Sequence, residues 1–596
     1  MKKLCRIKRE SGAFGASFGY SAGVFSKSNI EPGVFAKVCI ASSLVICAAC
    51  AGPRVADDAV AAPQVFYTVT GEIALSRNEA RVAALQYTAA ATRGTDLSLM
   101  ARASAVTEQT LQPSLAAVVA ARWISLDPKS LDAHRAAARA AFALDHIGES
   151  ADQYRIVIEN SPRGADVELT ELESELGSAD DAFAARRLAD RLAAAFPGSP
   201  AALRLSGFCA LRADDPVAAV RTFNTALAQL PAAAGEGDLG QARRDLEQGL
   251  WRARILAGDW QEPLAESQAL AESDATPTNQ LDYALLLLAA QKNDAAIAQL
   301  KELAAQSNIE PVALRLLGLI EFQDGQLEAA ARDFTALLGT GKFIDDSFYY
   351  LGLIAERGGD FAKALRLYAQ VQGGDDAMSA LLRASNILKT HGAAPAAEEV
   401  LDHLLEDEPG RAPEVLAARA KIYSDSGDSR QAILVLGRGV REYPDSVDIR
   451  YAIASAYEEE GDIGGALHEL KQVLKSRPDD PAALNAYGYT LADHNRHLGR
   501  ARALIERAYA AAPKNAAILD SLGWVVYRQG HADQALSYLK QAYADDRGGD
   551  IAAHYGEILW QVGQREEAER IWAEASAADS DNRLLSATRQ RLHASK

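Results

Sequence analysis

Small and apolar residues recur along most of the chain at helical spacing, and one arrangement of them returns about every 34 residues. Gly318 and Gly352 are 34 residues apart, and so are Ala330 and Ala364. Each unit predicts a first helix with a small residue facing its neighbour, a turn, and a second helix that carries Ala and, four residues later, an aromatic residue or Leu. The pattern therefore predicts repeated pairs of helices.

Four classes of residue follow this period. The small residue of the first helix is found at Gly318, Gly352, Ser385, Ala420, Ala454, Gly488, Gly523 and Gly556. The alanine of the second helix is found at Ala330, Ala364, Ala397, Ala432, Ala466, Ala501, Ala535 and Ala568. Turn glycines are found at Gly325, Gly359, Gly392, Gly427, Gly461, Gly530 and Gly563. Prolines close units at Pro128, Pro162, Pro197, Pro231, Pro444, Pro478 and Pro513. Independent classes that share one period are not a chance result.

Each class has a physical reason. Gly or Ala between paired helices permits close backbone approach, large apolar residues fill the gaps between pairs, Gly supplies the turn, and Pro ends the second helix. No unit can bury its apolar face alone, so the units must stack. The arrangement resembles the tetratricopeptide pattern, and it predicts an all-α chain folded as an α-solenoid, with about fifteen units and thirty helices over residues 65–580.

The repeat also predicts how the chain is divided. Residues 65–231 read as degenerate amino-terminal units and residues 232–310 as irregular ones, because a Gly-rich interruption opens that stretch. Residues 311–580 read as the regular array. The last segment, 581–596, is charged, and we expect it to cap and solvate the final helix.

The amino terminus has the sequence pattern of a targeting signal. Residues 38–49 are an uncharged apolar run, too short to span a bilayer and of the size of a signal-peptide core. The run ends in two alanines before Cys50, which resembles the bacterial lipobox, although Cys47 stands where that motif has Leu or Val. We therefore predict that residues 1–50 form a signal peptide with lipidation at Cys50, followed by a tether over 51–64. The alternative is an ordinary secretory signal or a buried apolar segment.

The cysteine positions and the net charge exclude several kinds of site and partner. Beyond residue 50 the only cysteine is Cys209, whose apolar neighbours predict a buried, unreactive side chain. The formal charge of −18 becomes −23 if residues 1–50 are removed, because they contain seven basic and two acidic residues. A charge of this sign argues against nucleic acid and against adhesion to anionic lipid, so membrane attachment would depend on the lipid anchor alone.

The catalytic motifs that can be tested are incomplete. His468 and Glu469 begin a zinc-protease motif, but Gln472 stands where the second histidine is needed. His494 and His497 lie one helical turn apart, and we interpret them as solvated residues of a turn, with a metal site as the alternative. We therefore expect no catalytic residue, no metal, no cofactor and no enzymatic activity.

Binding is expected on the concave side of the solenoid, which the first helices line. In the carboxyl-terminal units, polar and aromatic residues flank the packing positions, and these are the predicted protein-binding residues: Asn485, Tyr489, Asp520, Trp524, Tyr527, Arg528 and Trp560. For the aromatic residues Trp524, Tyr527 and Trp560 the alternative is the core between units. Trp123 and Trp572 occupy second-helix packing positions and are predicted to be core residues.

Two blocks, at 485–530 and 551–572, resemble the carboxyl-terminal signature of long tetratricopeptide lipoproteins of proteobacteria. The segments 71–77 and 120–128 resemble the opening repeats of the same group. In that group, an outer-membrane lipoprotein binds a periplasmic carboxyl-terminal processing protease and helps it degrade peptidoglycan cross-link hydrolases. The resemblance implies a non-enzymatic adaptor of this kind.

The leading hypothesis is therefore a protein-protein interaction scaffold in the bacterial envelope. Its partners would be proteins or peptides, namely a carboxyl-terminal processing protease and peptidoglycan hydrolases. Ala51 and Gly52 follow Cys50 without the Asp that favours inner-membrane retention, so the predicted location is the periplasmic face of the outer membrane. The alternative location is the soluble periplasm. The alternative function is an assembly or stability factor for envelope polysaccharide, secretion or peptidoglycan-synthesis machinery.

Overall fold

The computed structural model describes residues 64–179, 181–231, 238–305, 310–372, 376–407, 409–578 and 582–594. The predicted signal peptide, Cys50 and all but the last residue of the predicted tether lie outside these residues. Within the described ranges the chain is helical and has no strand, which confirms the all-α prediction.

The helices of the amino-terminal half are α1 (Gln64–Ser76), α2 (Ala80–Arg93), α3 (Leu97–Gln109), α4 (Pro113–Leu126), α5 (Leu131–Ala143), α6 (Ile147–Asn160), α7 (Ala165–Ser178), α8 (Ala182–Ala195), α9 (Pro200–Arg212), α10 (Pro216–Leu227), α11 (Asp238–Leu256), α12 (Gln261–Ser273), α13 (Pro277–Ala289) and α14 (Asn293–Ala304).

The helices that follow are α15 (Glu310–Gln323), α16 (Leu327–Gly339), α17 (Ile344–Arg357), α18 (Phe361–Tyr368), α19 (Ala377–Thr390), α20 (Ala394–Asp407), α21 (Ala412–Asp425), α22 (Ser429–Glu442), α23 (Val447–Glu460), α24 (Ile463–Ser476), α25 (Pro481–Asp493), α26 (Leu498–Ala511), α27 (Ala516–Arg528), α28 (Ala532–Asp545), α29 (Gly549–Gln561), α30 (Arg565–Ala578) and α31 (Arg583–Ala594). A short 3-10 turn at Pro409–Arg411 precedes α21.

In the part of the chain that the structure describes, α1 to α30 form fifteen consecutive helix pairs, and α31 follows them. The turns between paired helices have the predicted chemistry, since all seven predicted turn glycines have φ between +76° and +91°. This left-handed region favours glycine because a Cβ would approach the following carbonyl oxygen.

The small residue of each first helix permits the helices of a pair to approach. At Gly352 in α17, a Cβ would lie 2.5 Å from a ring carbon of Tyr368 in α18. Tyr368 is fully buried, and its ring occupies the space that the missing side chain leaves. The predicted packing of small residue against aromatic residue is confirmed at this pair.

The loops between units end one helix and begin the next. Pro444 and Pro478 each lie two residues beyond the end of a second helix. The residues that follow cap the next helix, because Ser446 Oγ accepts a hydrogen bond from the backbone N–H of Ile449 and the Asp480 carboxylate accepts one from that of Ala482. A short loop can therefore stop one unit and start its neighbour.

Buried side chains form successive clusters along the stack, and the last cluster runs from Ala454 to Leu592. Trp572 is fully buried in it, and Trp123 is buried in the first cluster, so both are core residues as predicted. Cys209 is also buried, which confirms its prediction.

Turns of the amino-terminal units contact loops of the carboxyl-terminal units. Gln112 Nε2 donates a hydrogen bond to the carbonyl oxygen of Glu442, 330 positions away, at 2.8 Å. Asp181 and Arg477, 296 positions apart, form an ion pair at 3.0 Å. We call this line of contacts the seam. It joins parts of the solenoid that are far apart in the repeat order.

Candidate protein-binding site

A cavity of about 380 Å³ lies on the inner side of the carboxyl-terminal units. We call it the carboxyl-terminal cavity. First helices of neighbouring units contact one another here, so they form the inner layer of the stack. The lining residues are Asp493 from α25, Trp524, Tyr527 and Arg528 from α27, His554 and Glu557 from α29, and Leu584, Thr588 and Arg591 from α31.

The register of α27 brings its three lining residues to one face. Trp524, Tyr527 and Arg528 are spaced by three and four residues, so they share a side of the helix. Trp524 is buried except for the part that meets the cavity, whereas Tyr527 and Arg528 are partly exposed. The Trp524 indole N–H donates a hydrogen bond to Asp493 Oδ1 at 3.1 Å, which fixes the ring. The structure therefore brings together three of the predicted binding residues.

Behind Trp524 lies a buried acid and histidine pair. His554 Nδ1 lies 2.9 Å from an Asp520 carboxylate oxygen, and both side chains are almost fully buried. The imidazole ring stacks on the Trp524 indole with 4.3 Å between ring centroids. Asp520, a predicted binding residue, is thus engaged by His554 and holds the wall of the cavity in place.

The charges around His554 favour its protonated form. Burial acts to lower the pKa of His554, but it is outweighed by the Asp520 carboxylate, through charge and hydrogen bonding, together with the charges of Asp493 and Glu557. The pKa of His554 is therefore raised above its ordinary value. An imidazolium stacked on an indole also gains from the negative face of the aromatic ring.

Tyr489 and Asn485, two more predicted binding residues, lie on α25. The Tyr489 hydroxyl lies 3.4 Å from His554 Nε2, and burial raises the pKa of Tyr489 well above its ordinary value, with the charge of Asp493 acting in the same direction. Asn485 is half-buried, and its side-chain oxygen is buried without a hydrogen-bond partner. Neither residue lines the cavity.

Trp560 is also outside the lining. It is buried on α29, where its ring centroid is 5.6 Å from that of Trp572 and 5.2 Å from that of His593. These contacts correspond to the alternative interpretation, in which the residue belongs to the core between units.

Sequence reasoning missed the contribution of α31. The predicted cap does more than solvate the last helix, because α31 packs on α29 and buries Leu585, Thr588 and Leu592. Its Arg591 forms an ion pair with Glu557 at 2.6 Å and closes one side of the cavity. The spacing of three and four residues between the buried positions is the signal that could have revealed the packed face.

The cavity combines aromatic surface with balanced charge. Arg528 lies 4.0 Å from Asp493, and its guanidinium is 5.6 Å from the centroid of the Trp524 ring. Arg and aromatic side chains are the residue types that anchor protein interfaces, because they offer large rigid contact area and directed hydrogen bonds. The arrangement is suited to hold a segment of another protein that carries an apolar and a charged group.

The described residues can also be searched for metal sites and membrane-spanning helices. In the described residues, no cluster of three or more His, Cys, Asp or Glu side chains could hold a metal ion. The same residues contain no helix of the length and hydrophobicity that a membrane span requires. His494 and His497 lie in the turn between α25 and α26, and His494 Nδ1 is 3.1 Å from the carbonyl oxygen of Thr490.

Residues 424–488 match a tetratricopeptide repeat model, and residues 281–346 and 321–379 match a second model of the same description. Together with the stacked helix pairs, these matches show that the chain contains tetratricopeptide repeats and is folded as an α-solenoid. Such proteins are generally non-catalytic scaffolds for protein-protein interaction.

One relative of the chain is a bacterial protein. Over 214 residues the chain is 36% identical to the TPR repeat-containing protein PA4667 of Pseudomonas aeruginosa. The match covers 36% of this chain and 36% of that protein, so it spans about a third of the relative's length. The chain is therefore homologous to a Pseudomonas tetratricopeptide repeat protein.

Solved structures also resemble the chain. The thermophilic TPR protein TTC0263 of Thermus thermophilus has a TM-score of 0.28 at 20% identity and covers 31% of this chain and 98% of its own. The APC/C hetero-tetramer Cut9–Hcn1 has a TM-score of 0.30 at 14% identity, covering 89% of this chain and 97% of the other. Likenesses at these scores say nothing about what the chain binds.

Proposed function

We propose that this protein is a lipid-anchored scaffold on the periplasmic face of the outer membrane, and that it brings a processing protease to cell-wall hydrolases. The observation that carries the scaffold role is the carboxyl-terminal cavity. It places Trp524, Tyr527 and Arg528 on the inner side of the stack, where another protein can reach them.

Three further features support the envelope role. Residues 38–49 and Cys50 have the character of a lipoprotein signal. The carboxyl-terminal blocks resemble those of proteobacterial lipoproteins, and a Pseudomonas protein is homologous over 214 residues. An adaptor needs no catalytic residue of its own, because it acts by holding protease and substrate at high effective concentration.

The test is a pull-down from envelope extract with the full chain produced in its native envelope. The wild type should recover both a processing protease and a cell-wall hydrolase. A Tyr527→Ala, Arg528→Glu variant should lose at least one of them, because the variant removes an anchor and reverses a charge in the cavity. Tyr538→Ala, on the outer helix α28, is the matched control and should retain both partners.

The proposal fails if the wild type recovers neither kind of partner. The anchor is tested separately by labelling cells with radioactive palmitate and fractionating their membranes. Wild type should carry the label and sediment with the outer membrane, whereas Cys50→Ala should do neither. Equal labelling of both proteins would remove the lipid anchor from the proposal.

A further inference from the structure

A second cavity lies five units before the first, at the equivalent place in the repeat. It has a volume of about 310 Å³ and lies between the first helices α15, α17 and α19. We call it the central cavity. Counted from the small residues Gly352 and Gly523, both cavities are lined by the residues one, four and five positions later. The residue five positions after the small residue is an arginine in both cavities, Arg357 in one and Arg528 in the other.

The wall of the central cavity is aromatic. Phe322 and Tyr349 are almost fully buried, and their exposed edges face the space. At the rim, Phe361 keeps 36% of its surface exposed, so part of its ring is open to a ligand. The cavity can therefore hold an apolar group of a partner molecule.

The cavity also holds a cation whose charge is not neutralised nearby. The guanidinium of Arg357 lies 3.9 Å from the centroid of the Phe322 ring and donates a hydrogen bond to the carbonyl oxygen of Phe322 at 3.3 Å. Among the described residues, no carboxylate lies within 4.0 Å of it. A guanidinium that stacks on a ring is held in place while its edge remains available to a ligand.

The other charges of the lining are already paired. Arg383 lies 3.3 Å from both carboxylate oxygens of Glu356, and the Tyr368 hydroxyl donates a hydrogen bond to the same carboxylate at 2.5 Å. Two arginines thus face one glutamate across the lining, which leaves a net positive charge. In the carboxyl-terminal cavity, by contrast, Arg528 has an acidic neighbour.

We propose that the central cavity binds a peptide carboxylate that is adjacent to an apolar side chain. Arg357 receives the carboxylate through its free edge, because guanidinium and carboxylate match in geometry and charge. The apolar side chain lies against the aromatic wall and Phe361. This assignment rests on the proposed function to the extent that the ligand is a segment of a protein partner.

The carboxylate can come from a chain terminus or from an acidic side chain, and three labelled peptides distinguish the two. The first ends in Leu-Phe with a free carboxylate after a Gly-Ser spacer. The second has the same sequence with a terminal amide. The third is the amide with Glu placed before Phe. Binding to the full-length protein is followed by fluorescence anisotropy.

We expect at least one carboxylate peptide to bind and the uncharged amide to bind much more weakly. Arg357→Gln should weaken the binding at least about tenfold, because a hydrogen-bonded ion pair is lost. Arg366→Gln removes the same charge from the exposed face of α18 in the same unit and should leave binding unchanged. Preference for the first or third peptide identifies the source of the carboxylate.

The inference is overturned if no carboxylate peptide binds, or if Arg357→Gln and Arg366→Gln bind alike. If binding is lost instead in the Tyr527→Ala, Arg528→Glu variant, the peptide occupies the carboxyl-terminal cavity only, and the scaffold proposal stands without the central site. Failure of the pull-down removes the scaffold proposal itself, whatever the peptides do.

Discussion

The buried pair of Asp520 and His554 gives the sharpest structural prediction. The perturbation is Asp520→Ala, which removes the acid and leaves His554 in a site with 3% of its side chain exposed. Breaking a buried ion pair by removing one partner costs about 3 to 5 kcal/mol. In the variant, His554 can lose its proton and so avoid an unpaired buried charge. We therefore expect a loss of stability at the lower end of this range, about 3 kcal/mol.

The loss of stability in Asp520→Ala should depend on pH, and the raised pKa of His554 determines the direction. The folded-state pKa of His554 is raised, so the stabilisation from its charge is complete below the unfolded-state pKa of about 6.5 and is lost as pH rises through the folded-state pKa. The difference between wild type and Asp520→Ala should be larger at about pH 6 than at alkaline pH, because the imidazole loses its proton as pH rises.

A local assay is needed because a solenoid does not unfold as one cooperative unit. Hydrogen exchange of the amides in 516–528 and 549–561, corrected for intrinsic rates, reports the stability of α27 and α29. Asp533→Ala, at an exposed site in the first turn of α28, is the matched control and should change protection by less than about 1 kcal/mol. Equal protection of wild type and Asp520→Ala, or a difference that grows with pH, would refute the reasoning.

Three further predictions concern packing, burial and the seam. Gly352→Ala forces a Cβ against a buried ring and should destabilise its helix pair by about 1 to 3 kcal/mol, which hydrogen exchange of α17 and α18 measures. Gly339→Ala, with open space around it, should leave its own pair unchanged, which hydrogen exchange of α15 and α16 measures. Burial raises the pKa of Asp282 to about 6, so Asp282→Asn should stabilise α13 by about 1 to 2 kcal/mol at pH 7.5 and have no effect at pH 3.5, measured in the same way. Arg477→Glu places a carboxylate beside Asp181 and should loosen the seam, which small-angle scattering would register as an increase of the radius of gyration; Lys471→Glu, an exposed change of the same charge type on α24, should leave the radius unchanged.

The helix pairs could be predicted because small residues and turn glycines recur at fixed positions in the repeat. Gly352 and the other small residues mark the approach of paired helices, and Gly359 marks a turn that requires positive φ. The turns of several other units were less visible, since Asn78, Asp145 and Asp214 take the left-handed position there. These residues lie seven positions after the small residues Gly71, Ala138 and Gly207, the same distance that separates Gly352 from Gly359. That shared distance is the signal that a search for glycine alone overlooks.

The site was only partly predictable. Trp524, Tyr527 and Arg528 could be placed on one face from spacing, but His554 was missed because histidine is not a class of the repeat. It lies 34 residues after Asp520, so the same period sets the two side chains on adjacent helices. A search for complementary residues one period apart would have found the pair.

The seam could not be predicted from the pattern. Periodicity fixes only which units are neighbours, whereas the contact between Asp181 and Arg477 depends on how small rotations add up over many units. The role of Arg591 was missed for a related reason, since its helix lies beyond the last repeat and follows no class of the pattern.

The central claim is that the carboxyl-terminal cavity is where a protein partner binds, and photo-crosslinking in the native envelope tests it most directly. A photoreactive phenylalanine replaces Tyr527 in the full chain, and the same replacement at Tyr538 is the control. Position 527 should cross-link to a processing protease or a cell-wall hydrolase, and position 538 should not. Cross-links of equal yield at both positions, or to neither class of protein at position 527, would contradict it.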